Sequence, residues 1–240
     1  MRGIIKVDYV KLIPERAVII DKTCIISDLH LGFENVVGSY GLTFPRVQII
    51  EVIESLNKII EKYRIKKLII AGDLKHEFGG NLPLEWDDVE LFLKKFSDIL
   101  EIEFIRGNHD NFLSLILAKY GFDLKDSIKI KDWMVIHGHK QCDYEKIIMG
   151  HEHPAIKVRV NNAIYTYPCF LHVKDGNRKI IVLPAFSPLM SGVDVLSLDS
   201  FLSPILKHID RSKMEIYATN DDEVLYLGKI ENIRNILLNM

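Results

Sequence analysis

Cysteine is scarce in this chain, with three in 240 residues: Cys24, Cys142 and Cys169. The number is odd and no two stand as CxxC, which argues against a disulfide framework and a cysteine zinc site. All three are expected to be buried free thiols. Long hydrophobic runs are missing as well. Stretches such as Val18 to Ile20 and Leu68 to Ala71 fall far short of the roughly 20 apolar residues that a spanning helix needs, so no membrane segment is expected. An excess of one charge is also lacking: 31 Lys and Arg against 33 Asp and Glu give a net charge of −2, and bulk charge does not advertise a polyanionic partner. The first residues, MRGIIKVDYVKLIPERAVII, hold no apolar core followed by a small-residue cleavage site, and a cytoplasmic location is expected. With no internal repeat, low-complexity tract or linker, residues 1–240 read as a single domain large enough to bury a substantial core.

What the sequence does contain is a series of short β-rich runs that each end in a polar cluster: AVIIDKTCIISDLH, KKLIIAGD, EIEFIRGNHD, WMVIHGH and KIIMGHEH. In layered α/β folds ligands bind outside the carboxyl ends of the strands, so this placement is the one an active site would produce. Helical periodicity lies between the runs. Residues 44–64 put Val47, Ile50, Ile53, Leu56, Ile60 and Tyr63 on one face. Residues 86–98 repeat the pattern, and NFLSLILAKYG stops at Gly121. After residue 154 the alternation turns strand-like (AIKVRV, AIYTY, CFLHV, KIIVL, MEIYA, EVLYLGKI), with hairpin turns expected at Asn161-Asn162 and KDGN. The reading is an α/β first half and an antiparallel-rich second half.

In chain order the clusters are Asp28-Leu29-His30, Gly72-Asp73-Leu74-Lys75-His76, Gly107-Asn108-His109-Asp110, His137, and Gly150-His151-Glu152-His153. Any one of them is compatible with a solvated loop, but five in succession at strand ends leave coincidence little room. Carboxylates, imidazoles and an amide oxygen together suit Mn²⁺, Fe²⁺ or Zn²⁺, and are too rich in nitrogen for a Mg²⁺ or Ca²⁺ cage. The donors outnumber the needs of one ion. Two ions about 3.5–4 Å apart can clamp a phosphoryl group and lower the pKa of a shared water. Glycines at 72, 107 and 150 are expected to let the backbone turn sharply.

This ordered set, DxH, GDxx, GNHD, H, GHxH, resembles the signature of the calcineurin-like metallophosphoesterases. The resemblance implies a four-layer αββα sandwich, two mixed β-sheets flanked by helices. It implies Asp28, His30 and His153 on one metal, Asn108, His137 and His151 on the other, and Asp73 bridging. Two divalent ions are implied, Mn²⁺ first, with Fe²⁺, Zn²⁺ or Ni²⁺ as alternatives. His109 would stabilise the transition state or act as general acid, oriented by Asp110, during in-line attack of a metal-bridging hydroxide. Protein Ser/Thr phosphatases of the superfamily carry GDxVDRG where this chain has GDLKHEF, which is similar to the GDxxH of SbcD-like nucleases. His76 is therefore a catalytic candidate, and a phosphodiester in DNA or RNA is the expected substrate. LIPERAVII, ISDLHLGFE, GNHD, GHEHPA and the later CF…KIIVLPAFSPLMSGVDV resemble archaeal SbcD-related phosphoesterases and DNA-ligase-associated metallophosphoesterases, which by association implies a DNA-repair partner. The alternatives are a nucleotide or small-molecule phosphodiesterase or phosphatase and, from another class, a non-catalytic metal-binding module.

Several residues stand outside the motif. His139 competes with His137 for the metal, and the histidine that ends the apolar run is preferred. Arg46 and His139 are candidates for substrate binding, and Arg106 is a weaker one. Glu152 is expected to point away, and His172 and His208 to be structural. Phe78 and Phe112 could stack on a base, although core packing is the plainer expectation. Residues 184–194 are expected at the rim of the site.

Overall fold

The computed structural model describes residues 3–34, 45–80, 82–161, 163–220 and 222–233. Two mixed β-sheets pack face to face. The first holds seven strands in chain order: β1 (Ile5–Val7), β2 (Val10–Ile13), β3 (Ala17–Ile20), β4 (Thr23–Ile26), β5 (Lys67–Ile70), β6 (Glu101–Ile105) and β7 (Leu124–Lys125). β1 to β4 form an antiparallel meander, whereas β4 to β7 are parallel. Parallel neighbours need crossovers. These contain α1 (Gln48–Tyr63), α2 (Pro83–Phe96) and α3 (Leu113–Lys119).

The second sheet is built from β8 (Ile128–Ile130), β9 (Trp133–Ile136), β10 (Lys146–Met149), β11 (Pro154–Val160), β12 (Ala163–Asp175), β13 (Arg178–Val182), β14 (Val193–Asp194), β15 (Glu215–Thr219) and β16 (Val224–Lys229). Its order is β14-β11-β12-β13-β10-β9-β8, with β15 and β16 joined to it through β12. β9, β10 and β13 are parallel at its centre. The expected division into an α/β half and an antiparallel half is thus replaced by two sheets that each combine parallel and antiparallel pairs.

Strand periodicity of two explains the layering. Val18, Ile20, Ile25 and Ile69 point to the second sheet and meet Trp133, Val135, Ile148, Phe170 and Ile181 in the inter-sheet core. Their neighbours Ile19, Cys24, Ile26, Leu68 and Ile70 point the other way, into the layer of α1 to α3. The outer face of the second sheet is covered by residues 195–214 and by the chain from Ile230, which is helical as far as the described residues run. Among the described residues no helix is long and apolar enough to cross a membrane.

Several local expectations change. AIYTY and CFLHV are one strand, β12. Pro168 sits opposite Ala155 where β12 leaves β11, with Cys169 already paired to β15, and a residue without an N–H suits such a hand-over. The Asn161 half of the expected turn is left-handed (φ 53°), while Asn162 lies outside the described residues. Cys142 is only half-buried, unlike Cys24 and Cys169. The helix expected over 44–64 begins at Gln48, and Phe44 lies outside the described residues. Its leading N–H groups, those of Val47 and Gln48, donate to the buried Glu34 carboxylate at 3.0 Å each, a cap by a residue 13 positions upstream.

The buried stripe of α1 also differs from the expected one. Of the expected face Leu56 is buried and Ile53, Ile60 and Tyr63 pack against the core, but Val47 and Ile50 are exposed, and Ile49, Val52 and Ile59 are buried instead. Isoleucines crowd this helix on two overlapping faces, and periodicity alone does not choose between them. Ile49→Ala is expected to cost about 2–5 kcal/mol, and the adjacent Ile50→Ala to stay within about 0.5 kcal/mol, both read by urea unfolding; equal costs would refute this orientation.

Candidate active site

Strand register assembles the site. In the first sheet Ile26 pairs with Ile70, and Ile70 with Phe104, so the segments carrying Asp28, Asp73 and Asn108 leave the sheet side by side. Hydrogen bonding continues beyond the strands: the N–H groups of Asp28, His30 and Leu31 donate to the carbonyls of Gly72, Asp73 and Leu74 at 3.1, 3.0 and 2.8 Å. In the second sheet Ile136 pairs with Met149. His137 and Gly150 follow at once, and the Gly150 N–H donates to the His137 carbonyl at 3.1 Å.

The backbone then bends against its preference. Asp28, His30, Asp73, His151 and His153 all have positive φ, between 45° and 74°. Each such corner costs on the order of 1–3 kcal/mol when the residue is not glycine. Five of the seven expected metal ligands therefore sit in left-handed corners that turn their side chains toward one point. Among the motif glycines only Gly72 has positive φ. Gly107 and Gly150 serve close approach instead: a Cβ at Gly107 would meet Asp73 Oδ1, and one at Gly150 would meet Ser27 Oγ and Asp28 Oδ2.

The donors converge in two sets. Asp28, His30 and His153 form one, and Asp73, His137 and His151 the other, with the ligand atoms of each set within 4.8 Å of one another. In the first, His153 Nε2 lies 3.1 Å from Asp28 Oδ1 and 3.2 Å from His30 Nε2. In the second, His137 Nε2 lies 3.2 Å from Asp73 Oδ2 and 3.0 Å from Asn108 Oδ1. The same Asp73 oxygen is 3.8 Å from His30 Nε2, which places it between the sets, and its partner Oδ1 is engaged by the His109 N–H at 2.8 Å. Asp28 Oδ1 is buried with the His153 and His137 rings 3.1 and 3.8 Å away but no well-aligned hydrogen bond. A buried carboxylate oxygen so incompletely satisfied costs free energy unless something cationic completes it. The residues therefore fit a pair of divalent cations.

The electrostatics agree. Burial alone would raise the pKa of Asp28, yet the imidazoles of His153, His137 and His30 hold it well below the usual carboxylate range. Burial would likewise lower His137, and the Asp73 and Asp28 carboxylates instead lift it to about 9. Burial dominates at His30 and His151, pushed down to about 3 and about 4. His30 and His151 are thus neutral beside ionised carboxylates, as metal coordination requires, whereas at His137 and His153, both raised by the carboxylates despite burial, a bound cation would take the place of the ring proton.

Beside these sets lie His76 and His109. Their rings stack at 5.5 Å, and both meet His30 edge-on at 5.3 and 4.9 Å. His109 Nδ1 is 2.5 Å from the His76 carbonyl, so it carries the proton and donates it there. Asp110, expected to orient His109, does something else. Its two oxygens accept from the N–H groups of Asp73 and Gly107 at 2.8 Å each, Leu74 at 3.0 Å and Lys75 at 3.4 Å. Fully buried, it clasps the Asp73 and Asn108 loops together, and the His76 carbonyl orients the His109 ring.

Arg46, expected near substrate, is held in an ion pair by the buried Asp88, with Nε donating at 2.7 Å. His139 stands behind the second set, its ring 5.3 Å from His137 and 6.2 Å from His151. Phe78 and Phe112 are exposed rather than in the core, and Phe78 meets the His109 ring edge-on at 6.1 Å. Glu152 turns away and accepts from the N–H groups of Leu202 and Ser203 at 3.2 and 2.5 Å. His172 is bonded to Glu215 at 2.7 Å, while His208 is exposed in a turn. Residues 184–194 do reach the rim, where the Phe186 and Ser187 N–H groups donate to the carbonyls of Ser27 and Asp28 at 2.9 and 3.3 Å.

Three supporting residues escaped sequence reasoning. Gln48 Nε2 donates to the Leu29 and His30 carbonyls at 3.1 and 3.0 Å and fixes the DLH corner. Lys75 is wholly buried, donates to the carbonyls of Glu77 and Gly80, and lies 3.6 Å from Glu85 Oε2. Glu85 Oε1 accepts the N–H groups of His76 and Glu77 at 2.9 and 2.6 Å. A lysine in a polar loop reads as solvated, and no spacing rule would have linked it to Glu85.

Lys75→Met strands the Glu85 carboxylate in the interior and is expected to cost about 3–5 kcal/mol, measured by urea unfolding; a change below about 1 kcal/mol would contradict the buried-pair account. Gly150→Ala displaces Ser27 and Asp28 and is expected to weaken Mn²⁺ binding in calorimetric titration by at least about 10-fold. Gly80→Ala, whose Cβ meets nothing within 4 Å, serves as the control that should leave affinity unchanged.

Comparison with known proteins agrees with this geometry. Residues 22–210 match the family model described as calcineurin-like phosphoesterase. Among solved structures, the nuclease MPE of Pseudomonas putida superposes with a TM-score of 0.66 at 18% identity, covering 94% of this chain and 100% of that one. The phosphoesterase YfcE of E. coli gives 0.45 at 13% identity, over 86% and 97% of the two chains. No curated protein matches by sequence. Two mixed sheets flanked by helices, two convergent His/Asp donor sets and a family match over most of its length together show that the chain belongs to the calcineurin-like phosphoesterases.

Proposed function

We propose that this metal-dependent phosphoester hydrolase cleaves phosphodiesters in nucleic acid. The observation that carries the reading is the stacked His76–His109 pair beside the donor sets, in a loop, GDLKHEF, without the arginine of GDxVDRG. Two imidazoles in place of an arginine suit a diester, which has a single charge to neutralise. The fold likeness to a nuclease over 94% of the chain points the same way and fits the SbcD-related subtype, with a repair partner by association. Mn²⁺ is the favoured ion for this nitrogen-rich set. Unpaired cysteines suit a reducing compartment such as the cytoplasm.

When bound, a pair of divalent ions polarises the phosphoryl oxygens and makes water nucleophilic near neutral pH. The chain's residues do the rest. With His30 Nε2 turned to the first donor set, its Nδ1 keeps a proton and faces His76 Nδ1 at 3.4 Å. His76 then accepts at Nδ1 and carries its own proton on Nε2, a neutral donor for a phosphoryl oxygen; burial and His109 lower its pKa accordingly. His109 is anchored through its Nδ1–H to the His76 carbonyl, so it can serve as general acid only from the doubly protonated ring, which gives its Nε2 proton to the departing oxygen and is left neutral with Nδ1–H in place.

Metal-free protein reconstituted with Mn²⁺ is expected to hydrolyse bis-p-nitrophenyl phosphate in preference to the monoester. His109→Asn should lower kcat by about 10²–10⁴-fold with metal content unchanged. Monoester preference would make the chain a phosphatase and overturn the nuclease reading. A nucleic-acid substrate further predicts a steep loss of binding with added salt; a flat salt response would favour the small-nucleotide alternative suggested by the net charge of −2.

A further inference from the structure

A pocket of about 280 Å³ opens directly beside His137, lined by Arg106, His139, Lys140, Gln141 and Tyr144 among others. Its lining includes His137, so it borders the second donor set. Its chemistry is that of a nucleotide rather than of a bare anion. Arg106 is half-buried and makes no ion pair among the described residues. Lys140 is exposed, with Asp126 at 3.4 Å taking part of its charge. Tyr144 presents an exposed ring and Gln141 an exposed amide, a flat surface and a hydrogen-bonding edge of the kind that unstacked bases use. His139 Nδ1 is buried in the wall without a partner.

We infer that this pocket holds the nucleotide next to the scissile phosphodiester, its phosphate at Arg106 and Lys140 and its base against Tyr144. The inference rests on the nucleic-acid reading and deepens it. It also gives His139 a place, because a histidine that backs the metal set on one side faces the neighbouring nucleotide on the other.

Cys142 lines the same pocket and is half-buried, whereas Cys24 and Cys169 are fully buried. Its alkylation by N-ethylmaleimide, followed by mass spectrometry, therefore reports occupancy without relying on turnover. In the Mn²⁺-loaded His109→Asn protein, tetrathymidylate is expected to slow Cys142 alkylation by about tenfold, and inorganic phosphate at equal concentration to leave it unchanged. Arg106→Gln with Lys140→Gln should abolish the protection and Tyr144→Leu should weaken it. Asp126→Asn, which frees Lys140, should strengthen it. Thermal melts of each variant show that it is folded.

Protection that survives in the Arg106/Lys140 double variant, or that phosphate or a phosphopeptide produces equally well, would overturn the inference. So would the absence of protection in a protein whose wild type cuts DNA, and in that case the nucleic-acid reading would stand while the pocket falls. Protection in a protein whose wild type cuts neither DNA nor RNA would overturn the nucleic-acid reading and, with it, the placing of the bound nucleotide beside a scissile phosphodiester.

Discussion

Parallel pairing at the centre of both sheets is the constraint on which everything else in this molecule depends. Parallel strands deliver all their carboxyl ends to one edge. Here β4, β5 and β6 in one sheet and β9 and β10 in the other do so, with the two edges brought together by a core of Val18, Ile20, Ile69, Trp133, Ile148 and Phe170. A one-residue slip in any of these ladders would exchange the core and helix faces of a strand and turn its terminal donor away. Packing the two sheets and building the site are one requirement rather than two.

The site itself works against stability. It combines five left-handed corners at residues other than glycine, a buried carboxylate oxygen at Asp28 that lacks a well-aligned hydrogen bond and rings crowded within hydrogen-bond distance of one another. Such features persist only where their surroundings over-determine them. Those surroundings are visible: Gln48 holds the DLH corner from the start of α1, Asp110 holds the Asp73 loop against the Asn108 loop, and the buried Lys75–Glu85 pair holds the His76 loop. The helices beyond the first sheet thus act as a brace for the histidines as well as a cover for Leu68 and Ile70.

Much of this was legible in the sequence because it follows from local patterns. Polar clusters after apolar runs marked the strand ends, and the residues the resemblance implies do lie near one another, Asp28 with His30 and His153, and His137 with His151, Asp73 and Asn108. The misreadings share a physical cause. The buried face of α1 was ambiguous because isoleucine occupies two adjacent stripes, and only the sheet beneath chooses between them. The task assigned to Asp110 was read from its neighbour in sequence, whereas its partners come from a loop 35 to 37 positions away. Lys75 has no role in the sequence reading and Arg46 stands there as a substrate-binding candidate, since the carboxylates that hold them, Glu85 and Asp88, become neighbours only when α2 docks. Contacts that join distant segments leave no periodicity behind.

The Asp110 clasp has a wider consequence. One carboxylate collects N–H groups from both catalytic loops, so the spacing of those loops is set by the width of a single functional group rather than by loop length. It works as a gauge block. Beyond it, the chain after His76 and the chain after Asn111 can lengthen, shorten or change composition without altering the pitch of the metal donors. A scaffold of this kind sets the inner geometry independently of the length of the loops that leave it.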